Sequence, residues 1–299
     1  MHPTRLVALA LVAVLAGTAA GCGKKELPPP PEEGNQYVGL GDSFTAVAGY
    51  GPFDNACQRS DHDYPALVAK KLKIASFADA SCGGAQTVNL TQSQVITGKG
   101  VNQAQLDAVS SSTTLVTVGM GLNDGPATTN GTRISYLLLF TCLPEKDGKA
   151  PKTCKSYLEQ PDSGFDTVIQ SLSDDIETGL GQIRDQAPNA RIIVVGYPRV
   201  APDTGTCKQL PYPPVALNRI RTVVRDADEA LAKVARKAGA EYVDMWAASA
   251  GHDACSDEPW VNGAKAIKGK ALQFHPYTAY HQAVAAKIVA LLKTKKPQA

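Results

Sequence analysis

Two hydrophobic periods alternate along this chain, and that alternation most restricts what it can fold into. Tyr37–Leu40, Ile74–Phe77, Leu115–Val118, Ile192–Val195 and Tyr242–Met245 are short apolar or β-branched runs, most of them followed closely by Gly, Asp, Ser or Pro, as strands ending in turns would be. Between them Phe165, Val168, Ile169, Leu172, Ile176, Leu180 and Ile183 keep helical spacing until Pro188, and Ile220, Val223, Val224, Ala227, Leu231, Val234, Ala235 and Ala238 keep it again. A last helical run, Tyr280 to Leu292, closes the chain before Lys293. Strands that alternate with helices form a parallel sheet covered on both faces. The expected fold is therefore α/β, a three-layer α/β/α domain around a parallel sheet of about five strands, occupying residues 35–299. The stretch Gly125–Ser163 lacks periodicity and reads as a long insertion over the sheet's edge.

The first residues carry an address instead of a fold. His2 and Arg5 precede an unbroken apolar or small stretch of 15 residues, Leu6–Ala20, too short to span a bilayer comfortably, since a transmembrane helix needs roughly 20. Ala19, Ala20 and Gly21 before Cys22 resemble a bacterial lipobox, in which the thiol receives a diacylglycerol; ordinary secretion with cleavage nearby is the alternative. Residues 1–21 are read as a lipoprotein signal peptide and 22–34, with Pro28–Pro31 and Glu32–Glu33, as a tether. The expected location is the outer face of the bacterial cytoplasmic membrane, reached through a lipid on Cys22. A formal net charge of +2, with no long basic run, argues against nucleic acid as a partner.

Setting Cys22 aside leaves six of the seven cysteines, an even number suited to disulfides in an oxidising compartment. No CxxC or Cys/His cluster has metal spacing. Cys57 lies after the first strand and Cys82 after the second; Cys207 and Cys255 follow the fourth and fifth. Cys142 and Cys154 share one loop. Sequential pairing, 57–82, 142–154 and 207–255, requires no crossing of the sheet.

In a parallel α/β sheet, ligands bind beyond the carboxyl ends of the strands. After the first strand stands Gly39-Leu40-Gly41-Asp42-Ser43, after the second Ser81-Cys82-Gly83-Gly84, after the third Gly119-Met120-Gly121-Leu122-Asn123-Asp124, and before the final helix Phe274-His275-Pro276. In this order the four blocks resemble the SGNH (GDSL-type) hydrolases, whose sheet is flavodoxin-like. They are similar above all to that family's secreted actinobacterial lipases and esterases. The likeness runs from about Tyr37 to Ala290 and includes Cys57, Arg59, Ser60, Tyr64 and Pro65, then Gly251-His252-Asp253 and Trp260-Val261-Asn262-Gly263. It implies that Ser43 is the nucleophile and His275 the base, with the N–H groups of Ser43 and Gly84 and the Asn123 amide forming the oxyanion hole. It implies no metal or cofactor.

The chemistry fits those residue types. A serine hydroxyl needs an imidazole to take its proton, and ester cleavage puts negative charge on a carbonyl oxygen that donors must meet. A glycine lets a backbone N–H approach a ligand closely, and an asparagine offers two N–H donors on a short arm. One departure stands out. The family's Asp three residues before the histidine is here Leu272, so the expectation is a Ser43/His275 dyad in which the Leu272 carbonyl orients the ring, with Asp253 or Asp257 as remote substitutes. His281 is expected to pack. Asp61, His62 and Asp63 are expected to form a solvated loop, and Asp42 and Asp124 to bond nearby backbone.

The expected activity is metal-independent hydrolysis of an acyl ester, lipid or small molecule, by a monomer. A carbohydrate acetylesterase on the same fold and a catalytically silent envelope-binding lipoprotein are the alternatives.

Overall fold

A computed structural model describes residues 36–49, 53, 56–124, 152 and 162–294. Its strands are β1 (Gln36–Gly41), β2 (Ser76–Asp79), β3 (Gln94–Ile96), β4 (Gly100–Asn102), β5 (Thr113–Gly119), β6 (Arg191–Val195) and β7 (Glu241–Val243). Its helices are α1 (Ser43–Ala46), α2 (Tyr64–Leu72), α3 (Asp162–Gln186), α4 (Pro214–Lys237), α5 (Met245–Ala248) and α6 (Thr278–Lys293). Cys22, Cys142, Cys154 and most of the long insertion lie outside the described residues, as do the expected signal peptide and tether.

Five strands form one parallel sheet in the order β2-β1-β5-β6-β7, and β3 and β4 form a separate antiparallel hairpin. Taken in chain order, the large sheet is the doubly wound arrangement that starts at an inner strand, adds one neighbour outward, then crosses to the other side. The crossover leaves a crevice between the carboxyl ends of β1 and β5. The two strands end level there, with Gly41 beside Gly119.

The core explains the near-continuous apolar runs. Val38 and Leu40 on β1, Val116 and Val118 on β5, and all of Ile192–Val195 on β6 are buried, because helices cover both faces of the sheet. Each such side chain contributes about 2 kcal/mol by leaving water. The amphipathic segments lie where their period puts them, α3 burying Leu172, Ile176, Leu180 and Ile183, and α4 burying Ile220, Val224, Leu231 and Val234.

Local chemistry shifts two strands from the positions their apolar runs suggest. Lys73, at φ 55°, caps α2 in the left-handed region and Ile74 N–H bonds back to Ala69 O at 3.0 Å, so Ile74 ends a helix and β2 begins at Ser76. At the other side of the sheet, Asp244 caps α5 by accepting from Ala247 N–H at 2.7 Å, which turns Met245 into a helix and stops β7 at Val243.

Two disulfides join Cys57 to Cys82 and Cys207 to Cys255, as sequential pairing expected. No helix among the described residues is long and apolar enough to cross a membrane.

Candidate active site

The crevice between β1 and β5 gathers three of the four sequence blocks. Gly41 and Gly119 have to be glycines, because a Cβ at either would lie 2.1 or 2.6 Å from the Thr45 hydroxyl, which fills the space between the strand ends. That hydroxyl donates to Gly119 O at 2.8 Å. Asp42 N–H donates to the same carbonyl at 3.0 Å, and the buried Gln105 side chain bonds both the N–H and the C=O of Gly41, at 2.8 and 2.9 Å. The chain then turns sharply into α1. Asp42 caps the turn by accepting from Phe44 N–H at 2.8 Å, and Ser43 opens the helix, 8% exposed. So the backbone is bonded on both sides of Ser43, at Gly41, Asp42 and Phe44.

The Gly84 loop is fastened to this turn. Cys82 N–H donates to Gly41 O at 3.0 Å, Gly83 N–H to Cys57 O at 2.9 Å, and Gly83 O accepts from Gln94 Nε2 at 2.9 Å. Gly84 lies at φ 75°, and a Cβ there would meet nothing closer than Gln94 Nε2 at 3.7 Å. Within the protein the need for glycine at this position is conformational. On the β5 side Asn123 donates one side-chain amide N–H to Ala85 O at 3.0 Å, while its main-chain carbonyl accepts from Gln86 Nε2 at 2.7 Å.

Asp42 and Asp124 hold backbone, as expected. Asp124 accepts from Thr87 N–H at 2.8 Å, and the second oxygen of Asp42 accepts from Tyr197 Oη at 2.6 Å. Burial pushes Asp42 up to about 7, opposed by the Tyr197 and Phe44 hydrogen bonds. Burial, and then the Asp42 carboxylate, hold the Tyr197 phenol well above its usual range, so it stays a donor.

The histidine arrives on a loop. His275 sits with its ring beside that of Phe44, the residue after Ser43, centroids 6.2 Å apart and planes 23° from parallel. Its Nδ1 lies 2.7 Å from Gln273 O. A carbonyl only accepts, so Nδ1 carries the proton and Nε2 keeps a lone pair. This corrects the expected partner: Leu272 O instead accepts from Asn262 Nδ2 at 2.9 Å and from His275 N–H at 3.3 Å. The reason is the backbone at Phe274, where φ is 57°, a strained value for a bulky side chain. It swings the carbonyl of residue 273, not 272, under the ring.

Neither expected acidic substitute serves His275. Asp253 accepts from Cys255 N–H at 2.8 Å, and Asp257 is exposed. Burial lowers the His275 pKa from its usual 6.5, opposed by the Gln273 bond, so the ring is neutral at pH 7.

Asn262 organises this loop. It is 3% exposed; its Nδ2 reaches Lys265 O at 2.8 Å and Leu272 O at 2.9 Å, its Oδ1 accepts from Gly263 N–H and Tyr277 Oη, both at 2.9 Å, and its N–H donates to His275 O at 3.0 Å. The loop's exit is fixed by His281, a buried packing residue as expected. Its Nδ1 accepts from Tyr64 N–H at 3.1 Å and its Nε2 donates to Val47 O at 3.0 Å, joining α6 to α2 and to the end of α1. Both nitrogens are committed in the neutral ring, and burial lowers its pKa to about 3.

Asp61 and His62 are exposed, but Asp63 is not part of a solvated loop. It is buried as the cap of α2, accepting from Ala66 N–H at 2.9 Å, and burial with the neighbouring Asp79 carboxyl pushes it to about 9. Gln105, Tyr197 and the Gln273 carbonyl escaped sequence reasoning: the first two read as ordinary polar core residues, and the third acts through main chain.

The family model described as the GDSL-like lipase/acylhydrolase family matches residues 40–283. "Lipase 2" of Streptomyces coelicolor is 34% identical over 73% of this chain and 72% of its own length. An esterase of Streptomyces scabiei is 30% identical over 83% of this chain and 79% of its own. Among solved structures, phospholipase A1 of Streptomyces albidoflavus superposes with a TM-score of 0.69 at 26% identity, over 86% of this chain and 99% of that one. The extracellular lipase of Streptomyces rimosus gives 0.67 at 25%, over 86% and 99%.

Proposed function

Because the chain belongs to the GDSL-like lipase/acylhydrolase family and is a carboxylic ester hydrolase, we propose that its reaction runs through a Ser43/His275 dyad in the crevice between β1 and β5. The observation that carries this reading is the His275 ring, bonded through Nδ1 to Gln273 O and stacked beside the residue that follows Ser43.

Ser43 Oγ attacks the acyl carbonyl as His275 Nε2 takes its proton. The carbonyl oxygen becomes an oxyanion that accepts from the N–H groups of Ser43 and Gly84 and from the second amide N–H of Asn123. His275 then gives its proton to the leaving alkoxide, and the acyl group stays on Ser43. A water, deprotonated by the same Nε2, attacks the acyl-enzyme, and His275 returns that proton to Ser43 Oγ as the acyl–Oγ bond breaks and the acid leaves. The Gln273 carbonyl holds the imidazole in the productive tautomer throughout. It offers a dipole where a triad has a full charge, so the imidazolium is stabilised less.

The substrate is an acyl ester of a lipid or a small alcohol, a reading supported by relatives named lipase, esterase and phospholipase A1. Export agrees with the apolar Leu6–Ala20 run and with an extracellular relative. A signal peptide over residues 1–21, a tether over 22–34 and a lipid on Cys22 would leave residues 35–299 as the enzyme at the envelope surface.

Hydrolysis of p-nitrophenyl acyl esters of increasing chain length, with an acetylated glycan in parallel, tests the site and its substrate class together. Ser43→Ala is expected to remove the activity; equal rates for both proteins would refute the dyad. Preference for the glycan would favour the acetylesterase alternative. Cys22→Ser tests the anchor: the wild type is expected in the detergent phase of a partition and the variant in the aqueous phase.

A further inference from the structure

Groups that follow three adjacent strands of the sheet meet at a single buried hydroxyl. Tyr197 stands two residues past β6. Its Oη donates to Asp42 Oδ2, just past β1, at 2.6 Å and accepts from Leu122 N–H, just past β5, at 3.2 Å. We propose that Tyr197 is a positioning residue: its hydroxyl ties the nucleophile turn to the Asn123 loop and so sets the spacing between the Ser43 and Asn123 oxyanion donors. The proposal rests on the dyad and oxyanion reading given above.

The hydrogen bonds form a directed chain. Leu122 N–H donates to the hydroxyl, the hydroxyl donates to Asp42, and the other Asp42 oxygen accepts from Phe44 N–H at 2.8 Å. Its two backbone ends are each one residue from an assigned oxyanion donor, Leu122 beside Asn123 and Phe44 beside Ser43. Asp42, Phe44, Leu122 and Tyr197 are all buried, so the chain of bonds is shielded from bulk water. The tyrosine is itself fixed from α4. Tyr197 N–H donates to Asp228 Oδ1 at 2.7 Å, and its ring meets Phe44 edge-on at 5.3 Å.

An oxyanion hole works only if its donors stand at about 2.7–3.1 Å from the oxyanion, and a misplacement of about 1 Å can cost on the order of 10²-fold in rate. Ser43 and Asn123 come from different strands. The bridge across the strand ends fixes their distance independently of the substrate.

Tyr197→Phe keeps the ring and removes only the bridging oxygen. Rates are referred to sites titrated with a serine-reactive phosphonate and measured well below the variant's melting temperature, so that a fall in stability alone leaves kcat unmoved. The expected result is a kcat lower by about 10- to 100-fold with KM within about twofold. In an Asn123→Ala background the same substitution is expected to cost less than about threefold, because the donor it positions is already gone. Wild-type kcat in Tyr197→Phe, or an equal loss in both backgrounds, overturns the proposal.

Should Tyr197→Phe fail to fold, Asp42→Asn interrupts the same chain with an isosteric amide, which can still accept from Phe44 but meets the tyrosine with a donor. It is expected to show the same kcat loss and the same coupling to Asn123; wild-type kcat there overturns the proposal as well. Ser43→Ala and Asn123→Ala alone are measured alongside. Activity in the first, or wild-type kcat in the second, would defeat the underlying reading and this inference with it. When both behave as catalytic losses and Tyr197→Phe does not, only the inference fails.

Discussion

The Ser43 turn and the His275 loop meet at one crevice but are held there by different means. Ser43 inherits its position from the sheet: Gly41 and Gly119 end level, Thr45 and Gln105 lock their backbone, and the Cys57–Cys82 bridge fastens the neighbouring Gly84 loop. His275 has no strand beneath it. Its loop is shaped by the strained Phe274 and by one asparagine whose bonds reach residues 263, 265, 272, 275 and 277. Secondary structure fixes a residue through many small, shared contributions, whereas a side-chain hub concentrates them in one amide. The two halves should therefore fail differently.

The largest effect treats them as a unit. Ser43→Ala and His275→Ala should each lower kcat by about 10⁴-fold or more, and the double variant should lose little further, because either loss disables the same proton transfer. Additive losses in the kinetics of the three proteins would separate the two residues.

Asn262→Ala tests the hub. It should lower kcat by about 10- to 100-fold and stability by roughly 2–4 kcal/mol, since it leaves buried carbonyls unpaired around the histidine. Urea unfolding and titrated turnover measure the two separately, and a variant with wild-type kcat would show that the loop holds its shape without the amide.

The sheet-side fastening should yield in the opposite order, stability first. Opening the Cys57–Cys82 bridge as Cys57→Ser/Cys82→Ser removes a crosslink between residues 25 apart and should cost about 3 kcal/mol, read as a fall in melting temperature. Activity should drop about 10-fold below the melting transition as the Gly84 loop loosens. Unchanged turnover would mean that the backbone bonds alone hold it.

A smaller effect is read in pH. The proposed base, His275, would act only when neutral, and burial lowers its pKa below 6.5, so the acid limb of kcat/KM should have its midpoint under 6.5. A midpoint near 7 that vanishes in Asp42→Asn would assign the limb to Asp42, which burial raises to about 7. Stability carries a separate signature. His281 folds neutral with a pKa of about 3 against 6.5 unfolded, so its contribution is complete above pH 6.5 and is lost as pH falls toward 3. The smallest effect falls to Asp253→Asn and Leu272→Ala, expected within about threefold of wild-type kcat; a loss near 10⁴ in Asp253→Asn would mean that a carboxylate orients His275 after all.

The contrast between the two halves also governs what the sequence disclosed. The sheet half was legible because apolar runs such as Ile192–Val195 mark strands and the residues after a strand fall at its carboxyl edge. The same reasoning paired Cys57 with Cys82 and Cys207 with Cys255. It erred where a cap outranked hydrophobicity, at Ile74 and Met245, and missed the β3–β4 hairpin, whose strands of three residues are too short to show a period and leave Val95 and Val101 exposed. The loop half was legible only as a block of letters. Trp260-Val261-Asn262-Gly263 stood out as a resemblance, but nothing in it says that Asn262 folds back on Leu272 and His275. A backbone carbonyl was expected as the partner of Nδ1, but the residue that supplies it could not be read, because which carbonyl faces the ring depends on one dihedral angle at Phe274.

The Gln273 carbonyl has a consequence for how this enzyme can change over generations. A triad that relies on an aspartate can be disarmed by a single base change at its codon. Here the atom that orients the histidine belongs to every amino acid, so residue 273 can vary in side chain without touching the chemistry. The vulnerability moves to the neighbours that shape the turn. A scan of all substitutions at positions 262, 272, 273 and 274 should find the tolerant positions at 272 and 273, and the intolerant ones at Asn262 and Phe274.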